Sequence, residues 1–168
     1  LTINGNLTVT GNTTLNGLTA TTISAATYLN LPSGLSYFTE AQSTASPNAT
    51  VYVDSLTAVA GSTDADIAIV PKGTGALITA VPDGTATGGN KRGTNAIDLQ
   101  TSRSAATQVA GGIQSFVAGS RNSATDYSHA LGYSNVIGST FSTSMGNGNT
   151  HTGGAVYSFT VGRDNSVG

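Results

Sequence analysis

Ser115-Phe-Val-Ala-Gly119-Ser-Arg-Asn122, Ser128-His-Ala-Leu-Gly132-Tyr-Ser-Asn135, Ser142-Thr-Ser-Met-Gly146-Asn-Gly-Asn149 and Ser158-Phe-Thr-Val-Gly162-Arg-Asp-Asn165 are four copies of one short phrase. Each keeps a Ser four before the Gly, an apolar residue just ahead of it (Ala118, Leu131, Met145, Val161) and an Asn three after it. A spacing of roughly 13 to 16 residues is too short for a helix pair and fits one strand and one turn of a solenoid. Alternation along each strand puts Phe116 and Ala118, His129 and Leu131, Thr143 and Met145, and Phe159 and Val161 on one face, which we expect inside the coil. The other face carries Val117, Ala130, Ser144 and Thr160, small enough for close approach to another chain. Gly119, Gly132, Gly146 and Gly162 supply positive φ at the corner. Asn122, Asn135, Asn149 and Asn165 are expected to share it, because Asn tolerates that region and bonds to its own turn.

The phrase Ser-x-x-apolar-Gly-x-x-Asn resembles the head repeat of trimeric autotransporter adhesins and the same repeat in phage tail-fibre and related appendage proteins. It covers about the last third of the chain. The resemblance implies an all-β, elongated fibrous homotrimer whose head is a left-handed parallel β-roll. It implies a structural fibre segment of a phage tail or related appendage, lying in the virion tail fibre or an extracellular appendage. The segment would space and present adhesion surfaces and would meet other tail or appendage proteins and a host-surface glycan or protein. A bacterial trimeric surface adhesin is the alternative within the same class. A polysaccharide-degrading tailspike is the alternative from another. The third copy carries extra residues, so Asn147 to Tyr157 is expected to be an enlarged loop. Asn147, Asn149, His151 and Tyr157 are its candidate receptor contacts.

Composition agrees with a β-rich fibre. Charged residues are 8% of 168, against roughly 25% in typical soluble domains, and the net charge is -2. Thr, Ser and Asn make up about a third of the chain, and Gly contributes 22 residues. Disordered chains are usually more charged and poorer in β-branched residues. With no Trp and four Phe, each rung buries little apolar surface against the backbone entropy it must offset, so stability is expected from association between chains. There is no Cys, hence no disulfide and no thiolate metal site. No apolar run reaches the roughly 18 residues of a membrane span, so no membrane insertion is expected. The chain opens and closes inside repeats and reads as a piece of something longer.

Three regions are expected: 1–31 a shaft, 32–114 an intermediate β region and connector, and 115–168 the head-type repeats. The shaft beats every six residues, as in Leu1-Thr-Ile-Asn-Gly5-Asn and Leu7-Thr-Val-Thr-Gly11-Asn. Alternation buries Leu1, Ile3, Leu7, Val9 and Leu15; a plain hairpin with Asn-Gly turns is the other reading. Residues 25–50 lose the beat at Pro32 and Pro47 and gather Tyr28, Leu29, Leu31, Leu35, Tyr37 and Phe38, expected to plug the end of the shaft, a receptor platform being the other reading. Val51–Val59 and Asp66–Val70 read as strands. Pro71–Gly75 reads as a hairpin loop returning through Ala76–Val81, and Thr101–Gly112 as connector.

Chemistry is sparse. Lys72 and Gly73-Thr-Gly75 lack the phosphate-loop spacing and read as a turn. Asp64 and Asp66 are the one close carboxylate pair, which is the chemistry of glycoside cleavage, but they flank a turn with no second acidic cluster. His129 is expected inside the coil and His151 in the solvated third loop; neither has a partner at metal-ligand spacing. Lys91-Arg92 lies in a Gly-rich loop, and six basic residues leave no electrostatic footprint for nucleic acid. Asn6, Asn12 and Asn48 open sequons, unsurprising in so Thr- and Asn-rich a chain. No enzyme activity, cofactor or metal is therefore expected.

Overall fold

A Gly that turns the chain, followed by an Asn that bonds to the coil beneath it, makes each Ser-to-Asn phrase fold back over the one before. The computed structural model describes residues 38–47, 50–58 and 63–168. All regular structure among them is β. The expected shaft at 1–31, the sequons at Asn6, Asn12 and Asn48, and the bulky cluster apart from Phe38 lie outside these residues.

The chain divides into two compact units, Leu1–Ile67 and Ala68–Gly168. In the first, β1 (Phe38–Ser43) pairs antiparallel with β2 (Val53–Ala58). Gln42 Nε2 donates to Asp54 Oδ1 across this pair at 2.8 Å.

The second unit is a parallel β-solenoid of about five turns. Its strands are β3 (Leu77–Ile78), β4 (Ile97–Ser102), β5 (Phe116–Ser120), β6 (Ser123–Ala124), β7 (His129–Tyr133), β8 (Val136–Ile137), β9 (Thr143–Asn147), β10 (Thr150–His151), β11 (Phe159–Arg163) and β12 (Ser166–Val167). One sheet runs β3-β4-β5-β7-β9-β11 and the other β6-β8-β10-β12. Register is strict: Gly119, Gly132, Gly146 and Gly162 stand in one column. The sheet of the four Ser-to-Asn repeats therefore continues N-terminally through β4 to Leu77. The hairpin expected over Pro71–Val81 is corrected: Leu77–Ile78 pairs parallel with Ile97–Asp98, and Asp66–Val70 forms no strand.

The two faces are inverted from expectation. Val117, Ala130, Ser144 and Thr160 point into the coil, facing a second buried column of Ala110, Ala124, Ile137 and His151. Phe116, His129, Thr143 and Phe159, with Ala118, Leu131, Met145 and Val161, point outward. The reason is width. A coil this short closes its two sheets around room for one small or medium side chain per wall, and its apolar core is Ala96, Ala110, Val117, Ala124, Ala130 and Ile137. The largest side chains fully closed inside are Ile137, His151 and Gln100, all smaller than Phe.

The corners also divide their labour differently. The four motif glycines have φ of +109°, +114°, +125° and +117°. At Gly119, Gly132 and Gly146 an added Cβ would collide with the carbonyl oxygen of the next motif glycine. The left-handed residues that follow are Arg121, Ser134, Gly148 and Asp164, each one before the Asn. Asn122, Asn135, Asn149 and Asn165 thus do not share the positive φ. They stack.

Asn135 Nδ2 donates to Asn122 Oδ1 at 3.0 Å, Asn149 Nδ2 to Asn135 Oδ1 at 3.0 Å, and Asn165 Nδ2 to Asn149 Oδ1 at 2.9 Å. The backbone N–H of each upper Asn donates to the same oxygen. Nδ2 also reaches the glycine carbonyl of the coil above, from Asn122 to Gly132 at 2.7 Å and from Asn135 to Gly146 at 3.0 Å. Gln100 starts the ladder, its Oε1 accepting from the Asn122 N–H at 2.6 Å. Each ladder amide is thereby satisfied, which is what makes a polar corner tolerable inside the fold.

Candidate functional site

Three surfaces of the solenoid could carry function, and each follows from the face inversion. The first is the outward face of the six-stranded sheet. Parallel register aligns Ile97, Phe116, His129, Thr143 and Phe159 in one column and Leu99, Ala118, Leu131, Met145 and Val161 in a second. Phe159 is 66% and Val161 61% exposed, and Ile97, Leu99 and Met145 also meet solvent. His129 is the one imidazole on this face, edge-on to Phe116 with ring centroids 6.3 Å apart. It was expected inside. It is outside for the same reason as Phe116.

The second surface is an aromatic ladder at the opposite corner. Tyr127, Phe141 and Tyr157 each precede a motif Ser and each adopt positive φ, at +55°, +55° and +61°. Their rings stack at 5.0 and 5.2 Å with interplanar angles of 6° and 12°. Left-handed backbone is costly for bulky residues, and the stack and the Ser ladder beneath it hold them there. In that ladder Ser142 N–H donates to Ser128 Oγ at 3.2 Å and Ser142 Oγ to the Ala155 carbonyl at 2.9 Å. Beside it runs a groove of about 570 Å³ across three coils, lined by residues such as Thr107, Ser123, Asp126, Val136 and Thr140. Asp126 is committed there, accepting the Ile113 N–H at 2.7 Å.

The third is the predicted contact loop, which the structure does not assemble. Asn147 ends β9 and is exposed, paired in register with Tyr133 and Arg163. Tyr157 is 77% exposed on the aromatic corner. Asn149 and His151 are buried, one in the Asn ladder and one in the core column, so neither is a contact residue on this surface. Only the turn 152–157 carries the extra length, and within it Ala155 is buried.

His151 occupies the position that Ile137 holds one coil earlier. Its Nε2 lies 2.7 Å from Thr160 Oγ1 and its Nδ1 2.6 Å from Ser158 Oγ. Thr160 Oγ1 continues to Ser144 Oγ at 3.3 Å, which donates to Asn135 Oδ1 at 3.3 Å. Burial away from water lowers the His151 pKa from its ordinary 6.5. The chain of hydroxyls therefore surrounds a neutral ring.

Sequence reasoning also missed a buried ion cluster in the first coils. Arg92 Nε donates to Asp98 Oδ2 at 2.6 Å and Arg103 Nη2 to Asp98 Oδ1 at 3.1 Å, with all three side chains closed to solvent. Gln100 N–H and Ala110 N–H also donate to this carboxylate. The signal was present: Asp98 alternates inward between Ile97 and Leu99. Arg92, read as half of a loop basic pair, is a structural anchor.

Of the other chemistry-bearing residues, Asp64 and Asp66 are exposed and outside any strand. Lys72–Gly75 is a turn closed by Gly75 N–H donating to the Lys72 carbonyl at 3.1 Å. Among the described residues no cluster of three or more His, Asp or Glu is placed to hold a metal, and no helix is long and apolar enough to cross a membrane. The chain matches no protein-family model, no curated protein and no solved structure.

Proposed function

We propose that this chain is a structural fibre segment of a phage tail or related appendage that works as a homotrimer, spacing and presenting host-recognition surfaces. The observation that carries the reading is the outward face of the six-stranded sheet. Ile97, Leu99, Met145, Phe159 and Val161 of its two columns are exposed in a single chain, with Phe116 and Leu131 half-buried beside them. Association with further copies would bury them. The interchain contact is thus assigned to the bulky face, and the small-residue face is internal.

The resemblance of the four Ser-x-x-apolar-Gly-x-x-Asn copies supports the number three, the left-handed winding and an extracellular or virion location. A trimer triples each exposed corner, so weak contacts to a host-surface glycan or protein gain by avidity. Other tail or appendage proteins are the structural neighbours this reading assigns. A bacterial trimeric surface adhesin would use the same head.

Light scattering tests the reading. A mass of about 50 kDa, three times the 16.7 kDa chain, is expected, falling to the single-chain mass in Phe159→Asp or Leu131→Asp. A folded single chain at micromolar concentration would overturn it.

A further inference from the structure

We propose that His151 makes the last two coils of the solenoid an acid-releasable segment: protonation of this one imidazole opens the coils from β9 to β12 while those from β4 to β8 stay closed.

The geometry has three parts. First, the ring is inside. It stands in the core column after Ala124 and Ile137, with 1% of its surface exposed. Second, its hydrogen-bond partners are neutral. Ser158 Oγ donates to the Ala155 carbonyl at 2.7 Å and Thr160 Oγ1 to Ser144 Oγ at 3.3 Å, so the two groups beside Nδ1 and Nε2 are uncharged hydroxyls with nothing to offset a charge on the ring.

Third, no counter-charge faces the ring. β8, β9, β10 and β12 carry no titratable side chain other than His151 itself. β11 carries only Arg163, which is exposed and bonded to Asp164 at 3.1 Å. In the turn leading to Ser158 the titratable group is Tyr157, exposed and stacked on Phe141. A buried imidazolium would have no carboxylate within reach.

The consequence stays local because a solenoid is held coil by coil. Below His151 the core is Val117, Ala124, Ala130 and Ile137, which no change of pH touches. Above it the core is Ser144, His151 and Thr160. The sign follows from burial: the folded coil binds the proton less readily than the open one. Protection is therefore complete above the open-chain value of 6.5 and falls as the pH drops below it.

The test is amide hydrogen exchange on the full chain at about pH 7.5 and about pH 5, corrected for the intrinsic rate. The Thr143, Thr150 and Thr152 N–H groups, which donate to Ser158, Asn165 and Val167, should lose protection roughly tenfold for each pKa unit by which burial lowers the ring. The Phe116 and Ser123 N–H groups, bonded to Ser128 and Asn135, should keep theirs. His151→Ile, which repeats the residue one coil earlier, should abolish the difference, and His129→Gln should leave it intact. Equal protection at both pH values would overturn the proposal, as would a response that survives His151→Ile. Should His151→Ile fail to fold, the wild-type ring decides: an NMR titration with a midpoint at or above 6.5 would overturn it, and a midpoint below 6.5 accompanied by loss of the β9–β12 signals would support it.

Discussion

The coils carrying Val117, Ala124, Ala130 and Ile137 and the coils carrying Ser144, His151 and Thr160 have the same backbone with opposite interiors. One interior is apolar and the other is a chain of hydroxyls around an imidazole. Strand register passes from one to the other without a shift. The interior therefore does not set the coil. The corners do, through the glycine column and the Asn ladder, and the interior only has to fill a narrow space without leaving a donor or acceptor unpaired.

The largest blow to that comparison should come at the corner. Gly132→Ala is expected to cost about 4 kcal/mol or more in urea unfolding, since the new methyl meets the Gly146 carbonyl oxygen and φ is +114°. Gly162→Ala has an equal φ strain but open space, its nearest foreign atom being Asn165 Nδ2 at 3.4 Å, so it should cost only about 1 to 2 kcal/mol. If the two cost the same, stacking is not what the glycines serve.

Next comes Asn135→Ala, expected to cost about 3 kcal/mol by the same measurement. It removes donation to Asn122 Oδ1, the Leu131 carbonyl and the Gly146 carbonyl, and takes the acceptor from Asn149 and Ser144. Ile137→Ala should cost about 2 kcal/mol, less than its corner neighbour Asn135, and a loss larger than that of Asn135→Ala would mean that the interior outweighs the corner after all. Asn165→Ala, at the end of the ladder, should cost about 1 kcal/mol. The smallest effect is Tyr157→Ala, about 0.5 to 1 kcal/mol, because the ring has one stacking partner and most of its surface is already wet.

The all-β class and the parallel coil were legible because Ser, Gly and Asn recur in register. Which side of the strand faces in was not. Alternation defines two faces without assigning them, and bulk suggested Phe116 and Phe159 for the core. Coil width decides instead, and the narrow face was already marked by Val117, Ala130, Ser144 and Thr160 being uniformly small. His151 was legible by the same logic: two residues after each ladder Asn stand Ala124, Ile137, His151 and Val167. The inward place of Asp98 was legible from its alternation with Ile97 and Leu99, but its pairing with Arg92 and Arg103 was not, since the three meet only once β4 has closed against its flanking loops. Of the expected contact residues Asn147 and Tyr157 are exposed, whereas Asn149 and His151 precede the insertion and are held inside, so added length did not mean exposure there.

That added length has its own lesson. Successive ladder asparagines are 13, 14 and 16 residues apart, yet the run from each motif Ser to its Asn never changes. All variation falls between an Asn and the next Ser, on the side where Tyr127, Phe141 and Tyr157 emerge. The coil is a chassis with one permissive slot per turn, where new sequence can be tried out without disturbing what holds the turns together.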